Sequence, residues 1–240
     1  IRVLVIGRAN AGKTTILRAV CGTTETPQVY NRRGIRVRRT LWNRGAHDIE
    51  NELHFRSSPG FVFHDSRGFE AGSAEELEKV REFINSRAAE RLEDRQLHAI
   101  WLCIPTDHDA RMITAAELDF FERCDTGKVP VIAVFTKLDS RDNKAFQELR
   151  DEGVNFSEAQ ERAPRRADEY FERVDLSRIF QYKYPPVNEI RVRTIRRTVA
   201  ELLKKTSDAL HTDALRVLPA IIQNDNLQPR IANSVNRQAF

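Results

Sequence analysis

The stretch that most constrains this chain is Gly7-Arg8-Ala9-Asn10-Ala11-Gly12-Lys13-Thr14, set between the apolar run Ile1–Ile6 and a helix-like segment from about Gly12 to Cys21. A glycine at each end lets the backbone curl so that successive N–H groups converge on one point, and the helix behind adds the positive end of its dipole. Such a loop is built to hold a phosphate. Lys13 can reach β/γ oxygens, and Thr14 can offer its hydroxyl to Mg²⁺. The cradle comprises Gly7, Asn10, Ala11, Gly12, Lys13, Thr14 and the adjoining Thr15. Chance occurrence is the competing reading, and the strand-before, helix-after context counts against it.

Beyond the loop the chain alternates strands and helices, as an α/β fold with a mostly parallel sheet requires. With 240 residues, 40% hydrophobic and 31% charged, it is long enough to bury its own core. Gly22 to His47 shows little periodicity and reads as a long loop. Ile49–Phe55 alternates apolar and polar, Arg56–Gly60 carries turn chemistry, and Phe61–His64 completes a hairpin that delivers Asp65-Ser66-Arg67-Gly68. At the carboxyl end of a strand in an open sheet, where ligands bind, Asp65 can hold the Mg²⁺ shell and Gly68 can offer its N–H to a γ-phosphate. A capped helix follows from Ser73 to about Asp94, with Leu77, Val80, Phe83 and Ile84 on one face. His98–Ile104 and Val129–Phe135 read as buried strands, with an amphipathic helix over Thr114–Cys124 between them.

The second of those strands ends in Thr136-Lys137-Leu138-Asp139. A carboxylate there can accept from both the N1–H and the exocyclic amine of guanine, whereas adenine offers no matching pair of donors. An acceptor buried without its partner costs about 1–3 kcal/mol, more when charged, so Asp139 would select guanine strongly. The Lys137 stem can pack on the base while its head tethers the loop. The alternative is an ordinary helix N-cap at Asp139.

Three signals in this order make the chain resemble the P-loop GTPases of the translation-factor and septin-like (TRAFAC) class, in an Era-like or septin- and Toc-like flavour. Gly7–Thr14 matches the phosphate loop, Asp65–Gly68 the second switch and Thr136–Asp139 the guanine-specificity motif, over Ile1 to Asp139. The stretches Gly60–Phe63 and His64–Phe69 are also similar to fungal proteins described only as G-domain-containing. The resemblance implies a P-loop NTPase G domain, a three-layer α/β sandwich with one antiparallel hairpin strand. It implies Mg²⁺-assisted hydrolysis of GTP to GDP, with Lys13, Thr14, Asp65 and Gly68 in the reaction centre and Thr14 and Asp65 at the metal. Phe69 stands where Ras-like members carry a water-positioning glutamine, which implies slow intrinsic turnover. Asn10 stands where potassium-stimulated members hold a K⁺ between the phosphates. The first-switch hydroxyl has two candidates, Thr40 and, counting back from Asp65, His47; the guanine-oxygen loop has Asn188 within Val187-Asn188-Glu189 as its nearest match. A nucleotide-gated assembly module with negligible hydrolysis, dimerising through the nucleotide face, is the alternative reading.

Residues from about 140 to 184 form a helical insertion, Asn143–Gly153 and Ser157–Val174, with Pro164 marking a break. The domain is expected to run from 1 to 222, with 223–240 as a polar tail or terminal helix. Cys21, Cys103 and Cys124 sit apart in apolar contexts and read as buried reduced thiols, which favours a cytoplasmic location. The formal charge of +4 owes much to two clusters, Arg32 to Arg39 and Arg191 to Lys205. Such runs are ordinarily solvated faces; a nucleic-acid or membrane-surface partner is the sharper alternative.

Overall fold

The computed structural model describes residues 1–37, 48–66, 74–107, 113–193 and 195–210. Its core is a sheet ordered β2-β3-β4-β1-β5-β6-β7, comprising β1 (Arg2–Ile6), β2 (Gln28–Tyr30), β3 (Glu52–His54), β4 (Val62–Asp65), β5 (Ala99–Pro105), β6 (Val131–Thr136) and β7 (Asn188–Arg191). Pairing is parallel from β4 across β1, β5 and β6 to β7, and β3 is antiparallel to both β2 and β4. Only β3 therefore runs against the rest, as expected of a single reversed hairpin arm.

The side-chain period of two builds the layers. Val3 and Val5 of β1 face one way, with Trp101, Val134 and Ile190, toward α1 (Lys13–Val20) and α7 (Ile195–Ala209). Leu4 and Ile6 face the other, with Ile100, Leu102 and Phe135, toward α2 (Ala74–Ala88) and α3 (Ala115–Arg123). All seven residues of β5 are buried, because helices cover both faces of a central parallel strand. The face of α2 read from the sequence, Leu77, Val80, Phe83 and Ile84, is the one buried. Thr114 caps α3 through a complete capping box with Glu117. Trp101 Nε1 donates to Thr206 Oγ1 at 3.1 Å, which pins α7 to β5.

Two expectations are corrected. The segment read as one long loop contains β2, whose three residues are too few to show a period and which exists through its register with β3. Pro164 does not break its helix: α5 (Phe156–Tyr170) runs through it. Ala159, Ala163 and Ala167 form a close-packed stripe against Ala145 and Leu149 of α4 (Asp139–Asp151), and that packing outweighs the lost backbone bond. After Tyr170 the helix widens into a π-helical turn, Phe171–Leu176, and closes in a short turn α6 (Ser177–Ile179). Phe171 is fully buried, edge-on to Phe135 at 4.7 Å.

A buried polar chain runs from Arg2 at the start of β1 to His64, one residue before Asp65 in β4. Arg2 can only donate, so His64 Nε2 accepts from Arg2 Nη1 at 2.7 Å while His64 Nδ1 donates to the Ile49 carbonyl at 2.8 Å. Burial, with Arg2 nearby, lowers the His64 pKa to about 3. Hydrogen bonds from His54 and Arg2 outweigh the burial cost at Glu52, whose pKa falls to about 2.

Candidate functional site

After β1 the chain turns toward β4, and after β5 it turns toward β6, so the crevice above these neighbouring strands is the switch point where open sheets bind ligands. The loop Gly7–Thr14 fills it. Gly7 has φ 143°, and a Cβ there would collide with the Cys103 carbonyl of β5. Asn10 (φ 60°) and Gly12 (φ 81°) complete the curl in the left-handed region. Gly12 caps α1 without a side chain, leaving the first-turn N–H groups to point at a ligand. Thr14 and Thr15 are exposed at that turn, as are Ala9 and Asn10 at the loop tip. Lys13 Nζ lies across the loop, donating to Gly7 O at 2.7 Å and Arg8 O at 3.0 Å.

The loop is braced from two sides. Thr136 Oγ1 at the end of β6 donates to the Ala11 carbonyl at 3.0 Å, with both residues buried. Arg8 donates to the Pro105 carbonyl at 3.0 Å and faces Glu117 at 3.5 Å. Burial pushes the Glu117 carboxyl pKa upward, and the Thr114 N–H and Arg8 oppose it. The Cys103 thiol beneath the loop is pushed up to about 12 by burial, against the pull of Lys13.

Asp65 sits at the carboxyl end of β4, paired in register with Val5, two residues before Gly7. Its carboxylate at the end of β4 and the Thr14 hydroxyl in the first turn of α1, beyond neighbouring β1, are oxygen ligands of the kind a hard cation such as Mg²⁺ takes. Gly68 and Phe69 lie outside the described residues, as do Thr40 and His47.

The residues expected to read a base follow the end of β6. Lys137 takes φ 59°, and Ser140 Oγ donates to the Lys137 carbonyl at 2.8 Å to fix that turn. Lys137 Nζ pairs with Asp107 at 2.7 Å. Asp139 is the first residue of α4 and exposed, and Leu138 occupies the cap position without a side-chain bond. The N-cap role offered as the alternative for Asp139 is not what forms.

Asn188 is a correction. It pairs in register with Ile132 at the start of β6, whereas Arg191 pairs with Phe135 near its end. In parallel strands that puts Asn188 three residues, about 10 Å, below the ligand edge. The segment beside Asp139 is instead Val192–Arg193, with the Val192 carbonyl accepting from the Leu138 N–H at 3.1 Å. Sequence reasoning placed Arg191 and Arg193 in a basic surface cluster. Both are half-buried and paired, Arg191 with Asp168, Glu172 and Glu189, and Arg193 with Asp142 and Asp168. Burial opposes the Arg193 charge, and the two carboxylates outweigh it, holding its pKa above the ordinary value. The signal available was position alone: residues just past the last apolar strand must lie at the ligand edge.

The family model described as 50S ribosome-binding GTPase matches residues 2–137. No curated protein matches the chain. Among solved structures, the septin GTPase domain from Chlamydomonas reinhardtii is 20% identical with a TM-score of 0.37, covering 62% of this chain and 59% of that one. The chain thus spans less than two thirds of that domain's length. The G domain of the T. maritima FeoB iron transporter is 12% identical with a TM-score of 0.42, covering 87% of this chain and 98% of that one. A mutant S. thermophilus NFeoB bound to GDP is 14% identical with a TM-score of 0.37, covering 97% and 94%. At such scores these likenesses carry no weight of their own. Among the described residues, no helix is long and apolar enough to cross a membrane.

Proposed function

The chain belongs to the 50S ribosome-binding GTPase family, matched over residues 2–137 of its 240, and from that premise we propose that it binds GTP and GDP in preference to adenine nucleotides and hydrolyses GTP slowly. The observation that carries this reading is the bond from Thr136 Oγ1 to the Ala11 carbonyl. It joins the phosphate loop to the end of β6, three residues before Asp139, so one nucleotide can span both.

In this reading Lys13 leaves the Gly7 and Arg8 carbonyls to meet the β/γ oxygens, and the N–H groups at the start of α1 hold the phosphates. Charge developing on the γ-phosphate oxygens during in-line attack by water is met by these fixed donors. Thr14 and Asp65 would hold Mg²⁺, which when bound neutralises phosphate charge, and Asn10 at the exposed loop tip suits a K⁺ beside it. Asp139 accepts from the guanine N1–H and amine, each charge-assisted bond contributing about 1.5–3 kcal/mol. Gly68, which the resemblance assigns to the γ-phosphate, completes the set.

The test is titration with fluorescent GTP and GDP in Mg²⁺ buffer, competed by unlabelled ATP, followed by phosphate release in K⁺ and in Na⁺. Guanine nucleotides should bind and ATP should fail to compete; Lys13→Ala should abolish binding and Asp139→Asn should erode guanine preference. Unchanged GTP affinity in either variant refutes the site, and equal turnover in K⁺ and Na⁺ removes the K⁺ role. A GTP-dependent change in elution volume without phosphate release would select the assembly module instead.

A further inference from the structure

The side chains that clasp the end of β7 take no part in holding phosphate or metal, yet they surround the residues next to Asp139. Arg193 Nε donates to both carboxylate oxygens of Asp142, at 3.1 and 2.8 Å. Its Nη2 donates to Asp142 Oδ1 at 3.0 Å and to the Pro164 carbonyl at 3.3 Å, and forms an ionic contact with Asp168 Oδ1 at 3.0 Å. Asp142 lies one turn after Asp139 on α4; Pro164 and Asp168 belong to α5. One residue before Arg193, the Val192 carbonyl holds the Leu138 N–H.

A second strut reaches the other strand. Arg191 donates to Glu172 at 2.9 Å and lies 5.3 Å from the Phe171 ring centroid. Phe171 in turn packs on Phe135, the residue before Thr136. The ends of β6 and β7 are therefore tied to one helical segment, α5 and its π turn. A π turn is rare and is found frequently at functional sites; here it begins at the buried Phe171.

A plain structural role would need only that α5 stay docked, and the alanine seam against α4 already docks it. What the seam does not do is orient Val192–Arg193. A guanidinium presents its donors in a rigid fork, so a bidentate carboxylate fixes direction as well as distance.

We propose that Arg193, gripped by Asp142 and Asp168, is a positioning residue that holds the Val192–Arg193 backbone against Leu138–Asp139 in the geometry that receives a guanine base, so that docking of the α5 insertion sets base affinity. The inference rests on the guanine-nucleotide reading above. Its consequence is selective: undocking α5 loosens the base and leaves the phosphate cradle, braced by Thr136 and Arg8, as it was. A partner that pulled α5 away would then act as a nucleotide-release factor.

The experiment uses the full chain with Asp168→Asn and Arg193→Lys, and Glu169→Ala as a control on the exposed α5 face, where Glu169 pairs only with Arg165 among the described residues. Three readouts are taken: dissociation of fluorescent GDP, affinity for inorganic pyrophosphate, and hydrogen exchange of the Leu138 amide in ligand-free protein. Losing one charge-assisted contact should speed GDP dissociation about tenfold in Asp168→Asn. Arg193→Lys should exceed that change, because the charge remains but the fork onto Asp142 is lost. Pyrophosphate affinity should hold in both, Leu138 should exchange faster in both, and Glu169→Ala should match wild type. GDP dissociation at the wild-type rate, or equal losses for GDP and pyrophosphate, overturns the proposal. Should wild-type protein take up no guanine nucleotide, the functional reading fails by itself, and Leu138 exchange unchanged between wild type and Asp168→Asn then overturns the positioning role separately.

Discussion

Thr136→Val removes one hydroxyl and keeps the shape of the side chain, which isolates the bond that joins the two halves of the nucleotide site. Thr136 is 4% exposed and Ala11 is 1% exposed, so water cannot replace the donor lost to the Ala11 carbonyl. The Thr136 backbone stays anchored, since its carbonyl accepts from both the N–H and the hydroxyl of Thr106 at 2.9 and 3.0 Å. No cavity opens, and the cost is that of an orphaned buried carbonyl, about 1–3 kcal/mol. In a chain of this size each kcal/mol moves the melting temperature by about 2–4 °C, so a fall of about 2–12 °C is expected. Guanidinium unfolding of ligand-free protein measures the stability, and titration with fluorescent GTP measures the site. Nucleotide affinity should fall as well, because the freed loop no longer presents its N–H groups in one fixed curve. Thr136→Ser keeps the donor and should keep the affinity. A stability change under about 0.5 kcal/mol with unaltered GTP affinity would refute the reasoning, since that is the scatter of ordinary surface substitutions.

His64 should make the fold acid-sensitive: the unfolded chain takes up its proton near pH 6.5, the fold only at about 3, so stability held above pH 6.5 declines as pH falls toward 3. The slope from this single proton is at most about 1.4 kcal/mol per pH unit. His64→Leu should flatten it by one proton between pH 6 and 4 in urea melts, leaving the share of His98, whose pKa burial lowers to about 4; an unchanged slope would count against the buried neutral imidazole. The Cys103 and Cys124 thiols, both raised to about 12 by burial, should resist iodoacetamide at neutral pH in native protein and react in urea. Rapid native labelling of Cys103 would mean the phosphate loop does not pack on it.

The arginines show why one part of the site could be read early and another could not. Gly7, Gly12 and Lys13 act through backbone freedom and reach within eight consecutive residues, so their spacing alone specifies the loop. Asp65 and Asp139 could be placed because one closes an apolar strand and the other stands three residues past one, and a parallel sheet delivers its strand ends to one edge. Arg193 was read as surface charge because its partners, Asp142 and Asp168, stand 51 and 25 residues earlier, and no local pattern announces such pairs. Asn188 was misplaced for the same reason: the register of β7 on β6 decides which of its residues meets the ligand edge, and register is set by burial against strands elsewhere in the chain.

By itself, then, the sequence determined the phosphate loop, the alternation of strands and helices, the reversed hairpin arm and the placing of Asp139 just past the end of β6. Each of these arises from glycine dihedrals, side-chain periods of two and 3.6, or capping chemistry that act over a few residues. Tertiary structure alone decided the edge strand β2, the unbroken helix through Pro164, the burial of Phe171 on Phe135 and the clasp on Arg193. All of these depend on surfaces brought together from distant parts of the chain, where packing and ion pairing outweigh what each segment would prefer alone.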